Sequence, residues 1–316
     1  MEVFKGIRTL NREFSRSVVT IGNFDGVHLG HRKIIGLAVQ GARKISAQSI
    51  VYTFRPHPRV ALQPEKPFRL LNTYDEKIGL ISGLGPNLLI EEPFSREFST
   101  TSADDFFEKI IIGILKAEAV VVGHDFSFGR GREGHLETLK SFCQKTHLDL
   151  TILPPFTVHN EIVSSSKIRS SLDQGKIEEA NLFLGYRFSY QGIVVKGDGR
   201  GRKLGFPTCN LQTHPKLDLP LGVYLTWTVL KNRAPLRSVT NIGIRPTFQS
   251  SQSVNGTAVL VETHILDFSE DLYGLPVEIQ FVAKLREEKK FESIETLKEQ
   301  IQTDIGTARS QLISYD

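Results

Sequence analysis

The sequence predicts an α/β domain with a parallel sheet, followed by an all-β domain that ends in a helix. In the first part of the chain, apolar runs alternate with amphipathic segments, whereas in the second part period-two runs follow one another without helices between them. The length of 316 residues exceeds the usual size of a single core, which also favours two domains. The period changes near residue 183, so we expect domains at residues 1–182 and 183–316.

The elements of the first domain follow from apolar periodicity. Short apolar runs predict strands at residues 17–21, 49–54, 87–90, 119–122 and 148–153. Apolar positions at steps of three and four predict helices at residues 32–45, 103–115, 136–145 and 177–184. In a parallel sheet built this way, ligands bind outside the carboxyl ends of the strands.

The second domain shows strand patterns with few helices. Alternating residues predict strands at 190–195, 223–230, 238–242, 257–266 and 277–285, which favours an antiparallel sheet or barrel. Residues 293–313 carry apolar side chains at steps of three and four, so we expect one terminal helix packed on the barrel.

Composition excludes several classes of protein. Hydrophobic residues make up 40% and charged residues 23%, as in soluble globular proteins, and the formal charge of +4 is divided evenly between the two predicted domains. We therefore expect no nucleic-acid partner. The two cysteines, Cys143 and Cys209, fall in different predicted domains, which indicates a reducing compartment, the cytoplasm. No export signal or apolar run of membrane-spanning length is present, so we expect no membrane partner; the oligomeric state stays open.

The ten residues GNFDGVHLGH, from Gly22 to His31, lie between the first strand and the first helix. Glycines let the backbone approach a ligand, and a helix that begins near Leu29 would direct its free N–H groups at an anion. His28 and His31 are three apart, so both imidazoles could donate to one phosphate; zinc ligation or a structural role are the alternatives. The other candidate ATP or phosphate ligands in this turn are Gly22, Asn23, Phe24 and Gly30.

Two further segments follow strands at the same predicted sheet edge. His57 lies in the stiff loop TFRPHP and is a candidate phosphate or flavin contact, or simply a surface residue. Asp125, Phe126 and Phe128 follow the fourth strand, where aromatic rings could stack on a planar ligand, although one of the two phenylalanines could belong to the core.

The segment SSSKIR places three hydroxyls before a cationic pair at an apparent helix start. Ser164, Ser165 and Ser166 could combine with helix N–H groups and Arg169 into a second anion clamp. A solvated helix cap is the alternative reading.

The second domain contains a glycine-rich basic segment, KGDGRGRKLG, that does not have the spacing of a Walker A loop. Its candidate ATP or phosphate ligands are Gly197, Gly199, Arg202, Lys203 and Gly205. Directly after it, Thr208 and Asn210 would face the same side if extended, about 7 Å apart, and could share a magnesium–phosphate group.

Glu262 lies in the middle of an alternating strand, VLVETHI. A carboxylate in this position commonly marks the solvent face of a sheet. Phosphorylating an alcohol, however, calls for a group that accepts the hydroxyl proton, which makes Glu262 a candidate base.

These motifs together resemble the bacterial bifunctional riboflavin kinase/FAD synthetase family. GNFDGVHLGH is similar to the HxGH motif of nucleotidyltransferases in its FDGVHxGH form, and SSSKIR is similar to SSTxIR. Five segments of the second domain resemble the riboflavin kinase module: GDGRGRKLGFPTCN and residues 241–247, 261–268, 271–274 and 285–291. Ser166 replaces the usual threonine, Cys209 replaces the common alanine of PTAN, and His124 stands where many relatives carry another residue, so no role is carried over to it.

The resemblance implies an N-terminal Rossmann-like nucleotidyltransferase domain and a C-terminal β-barrel riboflavin kinase domain. It implies that the barrel phosphorylates riboflavin to FMN with ATP, and that the first domain joins AMP from ATP to FMN, giving FAD and pyrophosphate. His28, His31 and Arg169 would then meet charge on the leaving pyrophosphate, and Glu262 would act on the ribityl hydroxyl. Thr208 and Asn210 would serve Mg²⁺ and ATP, and Arg286 would contact flavin.

Two other classes of function share some of these features. A class I aminoacyl-tRNA synthetase-like enzyme also carries HxGH and a Ser/Lys signature, but the even charge distribution offers no tRNA surface. A flavin- and ATP-binding regulator without turnover is the second alternative, and the intact HxGH, PTxN and glutamate positions argue against it.

Overall fold

The computed structural model describes residues 1–244 and 259–311. The chain divides into two compact units, Met1–Ser165 and Ser166–Asp316. In this division residues 166–182, which the sequence pattern grouped with the first domain, belong to the second unit. The boundary between residues 182 and 183 stays a prediction.

The first unit is built on a six-stranded parallel sheet with the strand order β1-β4-β3-β2-β5-β6. Its strands are β1 (Glu2–Phe4), β2 (Ser17–Ile21), β3 (Gln48–Arg55), β4 (Leu88–Pro93), β5 (Ala117–Gly123) and β6 (Asp149–Leu153). A two-stranded antiparallel ribbon, β7 (Thr157–Val158) and β8 (Glu161–Ile162), follows. All five residues of β2 are buried, because helices and strands cover this central strand on every side. The parallel sheet predicted from the sequence is confirmed, and β1 is an additional edge strand.

The helices of this unit are α1 (Leu29–Lys44), α2 (Pro58–Leu62), α3 (Tyr74–Ser82), α4 (Ala103–Asp105) and α5 (Leu136–Thr146). Helix α1 begins at Leu29, as the turn predicted, three residues before its apolar pattern becomes regular. The helix expected at residues 103–115 is different in kind, because α4 continues as a π-helix, Phe106–Ile114, closed by an i→i+5 bond from Leu115 N to Ile110 O of 2.9 Å. Helices α2 and α3 were not predicted.

The second unit is a closed antiparallel barrel with the strand order β10-β13-β12-β11-β14-β9. Its strands are β9 (Ser189–Val195), β10 (Cys209–Thr213), β11 (Gly222–Val229), β12 (Leu236–Ile244), β13 (Val259–Ile265) and β14 (Pro276–Arg286). Helix α6 (Ser165–Asp173) begins at the last residue of the first unit, and the helices α7 (Ile177–Leu184), α8 (Arg200–Leu204) and α9 (Ile294–Gln311) lie within the second unit. The predicted barrel and terminal helix are confirmed, whereas β10 and α8 were not predicted as elements. Residues 257–258 of one predicted strand and 312–313 of the predicted helix lie outside the described residues.

Helix α9 contributes to the core of the barrel unit. Ala308 of α9 belongs to one buried cluster with Trp227 and Leu225 of β11 and Val282 of β14. The helix therefore covers the barrel where these strands meet.

Candidate active sites

The histidine pair of the first unit lies at the start of α1, directly after the turn that leaves β2. His28 is the N-cap of α1, and its Nδ1 accepts a hydrogen bond from His31 N at 3.3 Å. The two imidazole rings stack with centroids 3.5 Å apart and planes 18° apart. The three-residue spacing thus places both histidines on one side of the helix start, as the sequence predicted.

Burial controls the protonation of these histidines. Burial lowers the pKa of His28 to about 4, with the nearby Asp125 carboxylate acting in the opposite direction. Burial also lowers the pKa of His31 well below its usual range, and His28 and Lys77 add to this effect. Both imidazoles are therefore neutral at pH 7. Because Nδ1 of His28 accepts a hydrogen bond, its proton is assigned to Nε2, which can donate to a ligand.

The main chain of the turn, more than its side chains, is available to a phosphate. Phe24 is 2% exposed and packs its ring edge-on against His31, so contact with ATP is left to its backbone. Asn23 is exposed, and its carbonyl accepts a hydrogen bond from Thr53 Oγ1 at 3.2 Å. A side chain at Gly30 would lie 3.3 Å from the His28 ring, which explains the glycine there.

His57 caps the short helix α2, since its Nδ1 accepts a hydrogen bond from Arg59 N at 3.1 Å. Its own N–H donates to the hydroxyl of Tyr74 at 2.9 Å, and its ring lies against Phe68 with centroids 4.8 Å apart. His57 is thus fixed to α3 through Tyr74, a residue that the sequence analysis missed.

The predicted ligand-binding residues after β5 differ in their burial. Phe126 and Phe128 stack with ring centroids 5.4 Å apart, but Phe128 is 8% exposed and belongs to the core. Phe126 and the exposed Asp125 line an open cleft of about 620 Å³, together with His124 and His135. Of the two phenylalanines, Phe126 is the one placed to meet a ring from solvent.

The hydroxyl segment begins at the same turn as the histidines. Ser165, the first residue of α6, donates its hydroxyl to the carbonyl of Asp25 at 2.8 Å. Ser164 precedes the helix, and Ser166 and Arg169 follow within its first turns. The predicted helix start is therefore observed, and Ser165 ties it to the turn that holds His28.

A buried lysine beneath this turn was not predicted. Lys77, on the first turn of α3, is 5% exposed, and its Nζ lies 3.1 Å from Thr53 Oγ1 and 3.5 Å from Asn23 O. The sequence does contain the Thr73/Glu76 capping box that starts α3. Nothing in the pattern, however, marks Lys77 as a residue that leaves solvent.

In the barrel, Asn210 and Glu262 are direct cross-strand partners. Asn210 of β10 pairs with Glu262 of β13, which in turn pairs with Asn241 of β12, so the three side chains share one face. The neighbouring residues Val261 and Thr263 are buried on the opposite face. A side chain at Gly197 would come within 2.2 Å of Asn210 Nδ2, so the glycine-rich segment lies directly against Asn210.

The basic segment forms the short helix α8 between two glycines with left-handed backbones. Gly199 (φ 68°) precedes α8 and Gly205 (φ 92°) ends it, and both values disfavour any other residue. Lys203 is exposed. Arg202 lines a small pocket of about 100 Å³ with Thr208 and Cys209, whereas Asn210 and Glu262 lie outside its lining. Thr208 precedes β10, which begins at Cys209, so the placement of Thr208 and Asn210 around one magnesium–phosphate group stays a prediction.

His264 supports this region, although the sequence analysis gave it no role. Its Nδ1 lies 2.7 Å from the carbonyl of Pro207, and its ring meets Phe206 edge-on. Burial raises the pKa of Cys209 to about 11, so its thiol stays protonated at neutral pH. Among the described residues, no three His, Cys, Asp or Glu side chains are grouped as a metal site requires.

Arg286, the predicted flavin contact, is held in an ion pair. Its Nη2 lies 2.8 Å from Asp304 Oδ2, and its Nε donates to both oxygens of Asp304. The side chains of Arg286 and Asp304 are 15% and 6% exposed. Arg286 thus joins the end of β14 to α9, and its contact with flavin stays a prediction.

The fold and these two candidate sites fit a two-domain transferase, with a histidine pair at a helix start in the parallel-sheet unit and an amide–carboxylate pair on the barrel. A family model described as FAD synthetase matches residues 10–167, and one described as riboflavin kinase matches residues 184–312. The bifunctional riboflavin kinase/FMN adenylyltransferase of Bacillus subtilis is 35% identical over 93% of this chain and 92% of its own length. The protein of the same description from Escherichia coli K12 is 34% identical over 98% and 97%.

The chain therefore belongs to the bifunctional riboflavin kinase/FMN adenylyltransferase family. A crystal structure from Streptococcus pneumoniae, described as a macrolide-efflux protein, shares the fold with a TM-score of 0.85 and 29% identity, over 97% of this chain and 98% of that one. Within the described parts of the present chain, none of the helices is both long and apolar enough to cross a membrane.

Proposed function

We propose that two separate sites in this chain perform the two activities of its family. The barrel transfers the γ-phosphoryl group of ATP to riboflavin, giving FMN. The parallel-sheet domain then joins AMP from a second ATP to FMN, giving FAD and pyrophosphate. The observation that carries this assignment is the pairing of Asn210 with Glu262 in the barrel and the stacking of His28 on His31 at the start of α1.

In the adenylylation step, the FMN phosphate attacks the α-phosphorus and negative charge grows on the leaving pyrophosphate. The N–H groups at the start of α1, a helix of 16 residues, favour an anion there. Neutral His28 and His31 add N–H donors to the same side. Positioning and electrostatic stabilisation thus account for catalysis without a covalent intermediate.

In the kinase step, Glu262 accepts the proton of the ribityl hydroxyl as that oxygen attacks phosphorus. Its cross-strand partner Asn210 offers an amide oxygen, and Thr208, two residues earlier in the chain, offers a hydroxyl; such neutral oxygens suit Mg²⁺ when ATP phosphates and water complete its shell. The metal would neutralise charge on the transferred phosphoryl group. The glycine-rich segment 196–205 would cover the phosphates.

The test uses the intact chain with riboflavin, ATP and Mg²⁺, and separates riboflavin, FMN and FAD by chromatography. We expect His28→Ala to abolish FAD formation from FMN and to leave FMN formation unchanged. Glu262→Ala should do the reverse. Glu278→Ala, which changes a half-buried glutamate on β14, is the matched control and should leave both activities intact.

The assignment is wrong if each variant, while still folded, loses both activities. ATP consumption without product, or binding without ATP consumption, would instead support the flavin-binding regulator. Binding of tRNA at moderate salt would support the synthetase-like alternative. Removal of Mg²⁺ by a chelator should stop both reactions, and cytoplasmic fractionation would check the location expected from the cysteine pattern.

A further inference from the structure

Helix α3 places a cation, Lys77, beneath the turn that holds His28 and His31. Lys77 Nζ has three acceptors: Thr53 Oγ1 at 3.1 Å, Phe54 O at 3.4 Å and Asn23 O at 3.5 Å. Thr53 Oγ1 also donates to Asn23 O at 3.2 Å, so lysine, hydroxyl and carbonyl form one small network. This network joins the end of β3 to the turn that follows β2.

Burying the ammonium group of Lys77 at this position costs free energy of folding. Lys77 is 5% exposed and Thr53 is fully buried, so the ammonium group has lost nearly all its water. Burial lowers the pKa of Lys77 to about 8, while Glu91 and Asp25 act in the opposite direction. An apolar residue of the same length would fill the space without this penalty. A lysine is therefore a costly residue here for packing alone, which points to a use for its charge.

The carbonyl that Lys77 holds belongs to the peptide between Asn23 and Phe24. In a trans peptide the carbonyl and the following N–H point in opposite directions, so fixing the Asn23 carbonyl also fixes the Phe24 N–H. Phe24 has a left-handed backbone (φ 49°) and a buried ring, which leaves its main chain as the part that can meet ATP. The orientation of this peptide decides where the turn presents its N–H donor.

We infer that Lys77 is a positioning residue for FMN adenylylation: its buried ammonium, acting through Thr53 and the Asn23 carbonyl, holds the Gly22–Phe24 turn in the conformation that binds the ATP phosphates. The positive charge also lies below the carboxyl ends of β2 and β3, where it favours an anion above them. This inference rests on the proposed adenylylation function of the first unit.

The charge state of Lys77 gives the inference a specific readout. The charged or titratable groups that face it from the packed elements are Glu91 of β4, Asp25 of the turn, Arg55 at the end of β3, Lys5 after β1, Tyr74 of α3 and His31 of α1. As pH rises through about 8, Lys77 loses its proton and its hold on the carbonyl weakens. Adenylylation should therefore fall on the alkaline side, whereas phosphorylation of riboflavin in the same chain should not follow this titration.

The decisive variant is Lys77→Met, which keeps the length of the side chain and removes the charge. We expect kcat/KM for ATP in FAD formation to fall by about tenfold to a hundredfold, the range for a lost charged hydrogen bond. The residual rate should be independent of pH between about 7 and about 9, because the titrating group is absent. Lys44→Met, at the opposite end of α1 and exposed, is the control and should behave as the wild type.

A second variant guards against failure of Lys77→Met to fold, which circular dichroism would reveal. Thr53→Val keeps the buried shape but removes the hydroxyl between Lys77 and the carbonyl, so adenylylation should fall less and its alkaline limb should move to lower pH. The inference is overturned if folded Lys77→Met forms FAD within about twofold of the wild type or keeps the wild-type alkaline limb. If the wild type itself forms no FAD, the proposed function fails instead.

Discussion

The ion pair between Arg286 and Asp304 allows a quantitative prediction about the barrel. Asp304 accepts three hydrogen bonds from Arg286 and a fourth from Gln300 Nε2 at 2.9 Å. Both partners are largely buried, at 15% and 6% side-chain exposure. The change Asp304→Asn keeps the shape of the side chain and leaves the arginine charge without its counter-charge.

Breaking a buried ion pair by removing one partner destabilises a protein by about 3–5 kcal/mol, because the other charge stays buried. Asparagine retains one acceptor, so we expect a loss near the lower end, about 3 kcal/mol, in the free energy of unfolding of the barrel unit. For a unit of this size, that loss corresponds to a fall of roughly 6–12 °C in the melting temperature.

The single tryptophan of the chain makes this loss measurable without interference from the other unit. Trp227 is 6% exposed and lies in the buried cluster that includes Ala308 of α9. Its fluorescence during urea or thermal unfolding therefore reports on the barrel and its terminal helix. Far-ultraviolet circular dichroism, which also contains the first unit, serves as the second probe.

A matched control lies on the same helix. Arg309 of α9 binds Asp267 through two hydrogen bonds of 2.8 and 2.7 Å, but both side chains are more than half exposed. Asp267→Asn should therefore leave the Trp227 transition almost unchanged. If Asp304→Asn and Asp267→Asn shift the melting temperature equally, or if neither shifts it, burial is not the reason that the Arg286–Asp304 ion pair stabilises the barrel unit.

Three further outcomes are expected. Tyr74→Phe removes the acceptor of the His57 N–H, so the KM for FMN in adenylylation should rise up to about tenfold while kinase kinetics stay unchanged. The pKa of His28 is lowered from 6.5 to about 4 in the folded state, so the unfolded chain binds a proton more readily between these pH values. The free energy of unfolding of the first unit should therefore fall as pH falls from 6.5 towards 4. Calorimetry should show a smaller fall for His28→Asn. Asn210→Ala should raise the Mg²⁺ concentration that gives half-maximal FMN formation, with FAD formation from FMN as the internal control.

The sequence predicted the geometry of the turn that holds His28 and His31 well, because that geometry depends on local features. A three-residue spacing at a helix start determines that His28 and His31 share a side, whatever the rest of the chain does. For Asn210 and Glu262, the alternating pattern predicted which face of its strand each residue occupies. It did not predict that they are neighbours, because this depends on the strand order of the barrel. Alternation therefore supplied the face of each residue, and the barrel supplied the pairing.

The features that the sequence did not predict depend on long-range packing. Lys77 lies in α3, a helix that was not predicted, and its burial results from β3 and the turn after β2, which cover it. The resemblance implied a flavin contact for Arg286 but not its ion pair with Asp304, which lies 18 residues later on α9. The π-helix at Phe106–Ile114 has the same apolar pattern as an α-helix, so periodicity alone does not distinguish the two.

The neutral histidine pair also limits where the positive charge of the adenylylation site can come from. Two imidazolium rings with centroids 3.5 Å apart would repel each other, so His28 and His31 cannot both be protonated when ATP binds. A polyphosphate nevertheless requires positive potential. In our proposal, fixed sources of the first unit provide it: the start of α1 and the ammonium of Lys77 below the turn. In this proposal the histidines act as directional donors, and at most one of them takes up a proton as charge develops on pyrophosphate.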